Sequence, residues 1–186
     1  MILCVCTGNI CRSPAAERLL ARRLGGQLSV ASAGTAALVG EPIAAPMARL
    51  IETAGADVTS FAARRLTSQQ LRDSALVLTM TREQRAIAVD LWPGVVRRSF
   101  TLLEFARLCS AIPSAQRPTG AQVDRLPEVV TLAAAQRRPS GPNAPVDDIA
   151  DPYRRDASAY QTAFEQIAAA VGVLEHVFVG EAARPG

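Results

Sequence analysis

The 186-residue sequence predicts an α/β domain: a four-stranded, mainly parallel twisted sheet with helices on both faces. Three observations carry that expectation. Short apolar runs alternate with helix-length periodic stretches, the run Ser74 to Met80 is almost continuously apolar as a doubly covered strand must be, and Gly or cap residues separate the segments. Parallel neighbours need right-handed crossovers, which place the connecting helices on the sheet faces.

In chain order, Met1 to Cys6 reads as the first strand, followed by a Gly/Asn-containing loop. Ser13 as N-cap and Pro14 at the first helical position open a helix to Leu24, stopped by Gly25-Gly26. Leu28 to Ala33 is a second strand and Pro46 to Ala54 a helix closed by Gly55. Ser68 starts a short helix to Arg72, and Ser74 to Met80 is the third strand. Thr81, with Gln84 three residues on, forms a capping box for a helix to Leu91. Val95 to Phe100 is the fourth strand candidate, leading into an amphipathic Leu102 to Leu108, and Ala157 to Phe178 is the last and longest helix. Ser110 to Asp148, rich in Pro and small residues with a helix-like piece near Gln122 to Gln136, reads as a surface insertion, because long connections in compact domains are functional or mobile. Residues 1–186 are expected to be one domain carrying that insertion at about 110–148.

Composition narrows the function. An apolar fraction of 49% with 20% charged residues fills a core and argues against disorder. Twenty basic residues, all Arg, against 17 acidic ones leave a net charge of +3, too small and dispersed for a nucleic-acid footprint. No apolar run approaches the roughly 20 residues of a membrane helix and no signal-peptide pattern precedes the first strand, so a soluble cytoplasmic protein without membrane insertion is expected. Three of four cysteines fall within the first eleven residues, which suits reactivity better than a disulfide framework. Cys4, Cys6 and Cys11 lack zinc-site spacing, so no metal and no cofactor are expected.

The chemistry concentrates between the first strand and first helix, in Cys6-Thr7-Gly8-Asn9-Ile10-Cys11-Arg12-Ser13. A loop closing on a helix N-terminus aims several backbone N–H groups at one point, and the helix dipole adds positive potential there. An anion is bound at such a point. A cysteine at the loop's start is stabilised as thiolate by those amides and by Arg12. Arg12 also offers a planar fork for two phosphoryl oxygens. Gly8 permits close backbone approach, Ser13 can donate to the thiolate, and Asn9 can bond across the loop to hold it curved.

C-x5-R-S at the N-terminus, spelled CTGNICRSP, resembles the low-molecular-weight protein tyrosine phosphatases. Ser32-Ala33-Gly34-Thr35, Ala37-Leu38-Val39-Gly40, Ala63-Arg64, Leu78-Thr79-Met80 and Asp151-Pro152-Tyr153-Arg154 follow in that family's order. The ALVG and DPYR segments are most similar to bacterial members paired with tyrosine autokinases that control capsular or exopolysaccharide export. The resemblance implies hydrolysis of phosphotyrosine in a phosphoprotein, with a tyrosine autokinase as partner. It implies Cys6 as nucleophile, Arg12 as transition-state clamp, and the Thr7 to Ser13 amides, those of Thr7, Gly8, Asn9, Ile10, Cys11, Arg12 and Ser13, as phosphate cradle. Asp151 becomes the acid that protonates the phenolate and then activates water. That role suits the chemistry, since tyrosine with its pKa of ~10 leaves poorly without a proton. Leu38 and Tyr153 are expected to wall the substrate groove.

The sequence departs from the family in places. Phe61 stands where some relatives have histidine, removing one polar support of the loop, and the only histidine is His176. Asp147 and Asp148 compete with Asp151 for the acid role, though only Asp151 precedes proline. Cys11 either packs in the loop or reaches Cys6 as a reversible disulfide partner. Two other functions fit the same residues: an arsenate reductase coupled to a low-molecular-weight thiol, which has little use for Asp151, and a non-catalytic phosphotyrosine-binding module, which has no use for an activated Cys6.

Overall fold

A computed structural model describes residues 1–137 and 147–179. Four parallel strands, β1 (Ile2–Cys6), β2 (Val30–Gly34), β3 (Leu76–Thr79) and β4 (Ser99–Thr101), lie in the order β2-β1-β3-β4. β1 is central, and its register sets Cys6 beside Gly34 at the carboxyl edge of the sheet, where open parallel sheets bind ligands. Gly34 is required there. A Cβ would lie 2.4 Å from the Thr7 carbonyl oxygen.

Strand alternation divides the core in two. Ile2, Cys4, Cys6, Leu76 and Leu78 face the larger cluster, with α1 (Arg12–Arg23), α2 (Ala45–Thr53), α5 (Leu102–Ser110), α6 (Gln122–Ala135) and α7 (Ala157–Val179). Leu3, Val5 and Val77 face the smaller one, with α3 (Ser68–Asp73), α4 (Arg82–Leu91) and Val95. Capping boxes start three helices: Thr67 with Gln70 on α3, Thr81 with Gln84 on α4, and Thr101 with Glu104 on α5. Each satisfies two of the backbone donors a helix leaves unpaired at its start.

Four expectations change. Ser13 is not an N-cap: α1 begins at Arg12, Cys11 occupies the cap position without a side-chain bond, and the Ser13 hydroxyl is engaged elsewhere. The fourth strand is shorter and later than expected. Pro93 to Arg98 form a 3-10 turn, because Pro93 fixes φ and Trp92 covers Gly94 so closely that a Cβ there would sit 2.5 Å from its ring.

Of the expected insertion at 110–148, residues 138–146 lie outside the described residues, and the described part is not wholly a surface excursion. Leu126, Val129, Val130 and Ala133 of α6 are buried in the main core, and Arg137 at its end pairs with Glu104 while stacking 3.9 Å from the Phe100 ring centroid. Finally, α7 is long and apolar enough to cross a membrane by length and composition. Its Ala163, Ile167, Ala170, Val171, Leu174 and Phe178 are instead buried in the domain, as in the core helix of a globular protein.

Candidate active site

β1 delivers Cys6 to the sheet edge and α1 begins six residues later, so residues 6–12 close a tight loop over the helix N-terminus. The loop's carbonyls are tied off on its outer side. Those of Cys6, Thr7, Gly8 and Ile10 accept from the amides of Thr35, Ala36, Leu38 and Ala44, at 2.9, 3.0, 3.0 and 2.8 Å. The C=O and N–H flanking a trans peptide point in opposite directions, so carbonyls drawn outward turn the loop's amides inward. The Asn9 amide, for one, is directed at Cys6 Sγ, 3.3 Å away.

Asn9 makes the curvature possible. It sits fully buried at φ 55°, a left-handed conformation asparagine tolerates better than most residues, and its side chain spends every polar atom on the surroundings. Oδ1 accepts from the Arg64 backbone amide at 2.9 Å, which fixes Nδ2 as the donor to Ser13 Oγ at 2.9 Å and Ser32 Oγ at 2.8 Å. Ser13 Oγ, accepting from Asn9, lies 2.9 Å from Cys6 Sγ and 3.5 Å from the Ala33 carbonyl oxygen, so its one proton can be given to the sulfur at the shorter distance. Ser32 in turn donates to the buried Glu17 carboxylate.

Phe61 has no polar atom to add to that chain of contacts. Phe61 packs in the core beneath the Arg18 guanidinium, 5.6 Å from its ring centroid, and the polar support comes from Ser32 and Glu17. Sequence reasoning missed both. One signal was available, since Glu17 stands four residues after Ser13 and so shares its helix face.

Arg12 is buried at 3% exposure and grips the segment that carries Asp151. Its Nη1 donates to the Ile149 carbonyl at 2.8 Å, and its Nη2 lies 2.8 Å from Asp151 Oδ2. Nε is buried without a hydrogen-bond partner among the described residues, leaving a donor for an oxyanion. Asp151 itself is half exposed, with Oδ1 accepting the Tyr153 amide at 3.2 Å.

A cavity of about 170 Å³ brings these groups together. Cys6, Thr7, Gly8, Ile10, Cys11, Arg12, Leu38, Asp151 and Tyr153 all line it, together with Ala36, which the sequence reading did not single out. Asn9 and Ser13 stand behind the loop rather than in the cavity. The walls contributed by Ile10, Ala36, Leu38 and Tyr153 are apolar or aromatic, and the floor holds the thiol and guanidinium.

The other cysteines are held as thiols. Burial, and then the neighbouring Cys6 sulfur, push Cys11 up to about 12 despite its hydrogen bond with Tyr160. Burial pushes Cys109 to about 12 and Cys4 well above the ordinary range. Among the described residues no group of three or more His, Cys, Asp or Glu side chains is placed to hold a metal ion.

The family model described as low molecular weight phosphotyrosine protein phosphatase matches residues 1–110. Low molecular weight protein-tyrosine-phosphatase Etp of Escherichia coli strain K12 is 44% identical over 94 residues, which cover 50% of this chain but only 63% of Etp. The "Probable low molecular weight protein-tyrosine-phosphatase EpsP" of Ralstonia nicotianae is 31% identical over 166 residues, 89% of this chain and 87% of that protein. Among solved structures, Vibrio vulnificus Wzb in complex with benzylphosphonate superposes with a TM-score of 0.68 at 25% identity, over 94% of this chain and 95% of that one. With the C-x5-R-S loop between its first strand and first helix inside the matched region, this chain belongs to the low molecular weight protein-tyrosine-phosphatase family.

Proposed function

We propose that this protein hydrolyses phosphotyrosine in a phosphoprotein through a phosphocysteine on Cys6. The observation that carries the reading is the Arg12–Asp151 contact at the mouth of a loop whose outward-tied carbonyls turn its amides toward Cys6. Phosphate on those amides and Arg12 sets phosphorus above Sγ, and the aryl ring lies between Leu38 and Tyr153.

In the first step the Cys6 sulfur attacks phosphorus in line. The S–P bond forms as the P–O bond to tyrosine breaks, and the Asp151 carboxyl gives its proton to the departing oxygen. In the second, Asp151 takes a proton from water. The water oxygen bonds to phosphorus and the S–P bond breaks, releasing phosphate and a thiolate that the Ser13 hydroxyl and Asn9 amide accommodate. Arg12 and the loop amides meet the charge on the equatorial oxygens in both steps.

Apolar walls favour an aryl ester over a phosphorylated aliphatic or guanidinium side chain, whose polar or charged body gains nothing from Leu38 and Ile10. Wzb's complex with benzylphosphonate supports the same choice. The natural partner in this reading is a bacterial tyrosine autokinase in the cytoplasm, where reducing conditions keep the free cysteines as thiols. Arsenate reduction coupled to a low-molecular-weight thiol has less support, since it has little use for Asp151, which lines the cavity 2.8 Å from Arg12. Matched phosphotyrosine, phosphoserine and phosphoarginine peptides test the assignment. Preferential release of phosphate from phosphotyrosine is expected, and preference for either of the others refutes it.

A further inference from the structure

Asp147 and Asp148 lie four and three residues before Asp151 and resemble spare acids in the sequence, yet neither lines the cavity and both carboxylates are already engaged. Asp147 accepts from one edge of the Arg107 guanidinium on α5, Nη2 to Oδ2 at 2.7 Å and Nε to Oδ1 at 3.4 Å. Asp148 Oδ1 accepts the backbone amide of Arg82, the first residue of α4, at 2.8 Å, with the Arg82 Nε at 3.4 Å. A carboxylate there also meets the positive end of the helix dipole. Ile149 then donates its amide to the Met80 carbonyl at 2.8 Å, takes Arg12 Nη1 on its own carbonyl, and buries its side chain completely.

Three consecutive residues are thus fastened to α5, to α4 and to the end of β3. Beyond them Ala150 is exposed, and among the described residues the Asp151 carboxylate has only Arg12 and the Tyr153 amide. With so few contacts of its own, its placement is inherited from the residues upstream. The same α4 turn also holds the phosphate loop. Gln84, buried, accepts the Met80 and Thr81 amides on Oε1 and donates Nε2 to Thr7 Oγ1 at 3.1 Å. One helix start is therefore bonded both to the loop that bears the nucleophile and to the loop that bears the acid.

We propose that Asp148, seconded by Asp147, is a positioning residue that latches the Asp151 loop to the α4 N-terminus in register with Cys6. The proposal rests on the phosphatase reading for its kinetic signature but not for its structural one. A carboxylate that only positions the acid matters most when the leaving group needs a proton. Loss of overall stability would instead slow good and poor leaving groups alike.

The experiment compares kcat/KM for phenyl phosphate and dinitrophenyl phosphate in wild type, Asp148→Ala, Asp148→Asn and Asp147→Ala, alongside hydrogen exchange at the Ile149 amide. Asp148→Ala should lose about tenfold or more on phenyl phosphate and less than about twofold on the dinitrophenyl ester. Asp148→Asn should restore most of the loss, because its side-chain oxygen still accepts the Arg82 amide. Asp147→Ala should show the same selectivity with a smaller loss. Exchange at Ile149 should quicken in Asp148→Ala and not in Asp148→Asn. Equal losses on the two esters, wild-type behaviour of Asp148→Ala, or failure of asparagine to rescue would overturn the latch. Inert wild type on both esters would instead sink the phosphatase reading. In that case faster Ile149 exchange in Asp148→Ala alone upholds the latch, and unchanged exchange removes it.

Discussion

Arg12 Nη2 lies 2.8 Å from Asp151 Oδ2, so the proposed phosphoryl clamp and the proposed acid hold one another directly. A phosphoryl oxygen and the Asp151 carboxylate therefore compete for one guanidinium edge. Removing that carboxylate should separate binding from chemistry. Asp151→Ala is expected to bind inorganic phosphate more tightly as a competitive inhibitor while losing about 10²- to 10⁴-fold in kcat/KM on poor leaving groups. Weaker phosphate inhibition in the variant would mean that Asp151 supports the oxyanion rather than competing with it.

Asn9 combines a left-handed backbone with three side-chain hydrogen bonds, two buried and one part-buried, and two substitutions resolve those contributions. Asn9→Ala should lower unfolding stability by about 3 kcal/mol or more, since partners are left unpaired and an alanine is forced to positive φ. Asn9→Gly relieves only the backbone strain and should recover about 1 kcal/mol of that. Both should lose turnover, because Ser13 loses the donor that orients its hydroxyl toward Cys6. Denaturant titration alongside a kinetic assay reads both quantities. Glycine less stable than alanine would count against the strain argument.

Leu126→Ala in α6 should cost about 2–5 kcal/mol, since the side chain is 2% exposed within the main core. Val123→Ala, three residues earlier and half exposed, should stay within about 0.5 kcal/mol. Comparable small effects at both positions would return α6 to the surface.

Cys11 and Cys109, raised from 9.0 to about 12, make stability pH-dependent on the alkaline side. Below the ordinary value both states keep their protons and the contribution is complete. Above it the unfolded chain releases protons that the folded chain retains, so stability falls as pH climbs from about 9 toward 12, by at most about 1.4 kcal/mol per pH unit per cysteine. Denaturant midpoints at neutral pH and at about pH 10 should therefore diverge, and less so in Cys109→Ala. An identical divergence in that variant would show that other groups govern the alkaline limb. At neutral pH, iodoacetamide should modify Cys6 in preference to Cys4, Cys11 and Cys109.

The parts of the molecule legible in its sequence are those fixed by local rules. The apolar Ile2 to Cys6 run, the glycine-closed α2, the Thr81–Gln84 box and the C-x5-R-S loop each carry their signal within a few residues. Asp151 was legible through Pro152. What escaped depends on distant pairing. Ser13 has the composition of an N-cap, but its hydroxyl is claimed by Cys6 and Asn9, and the Ser32–Glu17 contact joins residues 15 apart. α6 is legible as a helix near Gln122 to Gln136, but its burial in the main core is not, because Pro127 and the proline-rich flanks read as a surface insertion. Asp147 and Asp148 look like solvated charges until α4 and α5 are placed beside them.

Trapping the phosphocysteine tests the central claim most directly. Rapid acid quench of the enzyme turning over an aryl phosphate, followed by intact mass and peptide mapping, should find one phosphoryl group on Cys6 that appears with the first turnover and is absent in Cys6→Ser. Steady turnover with no label on Cys6, or turnover surviving in Cys6→Ser, would contradict the account.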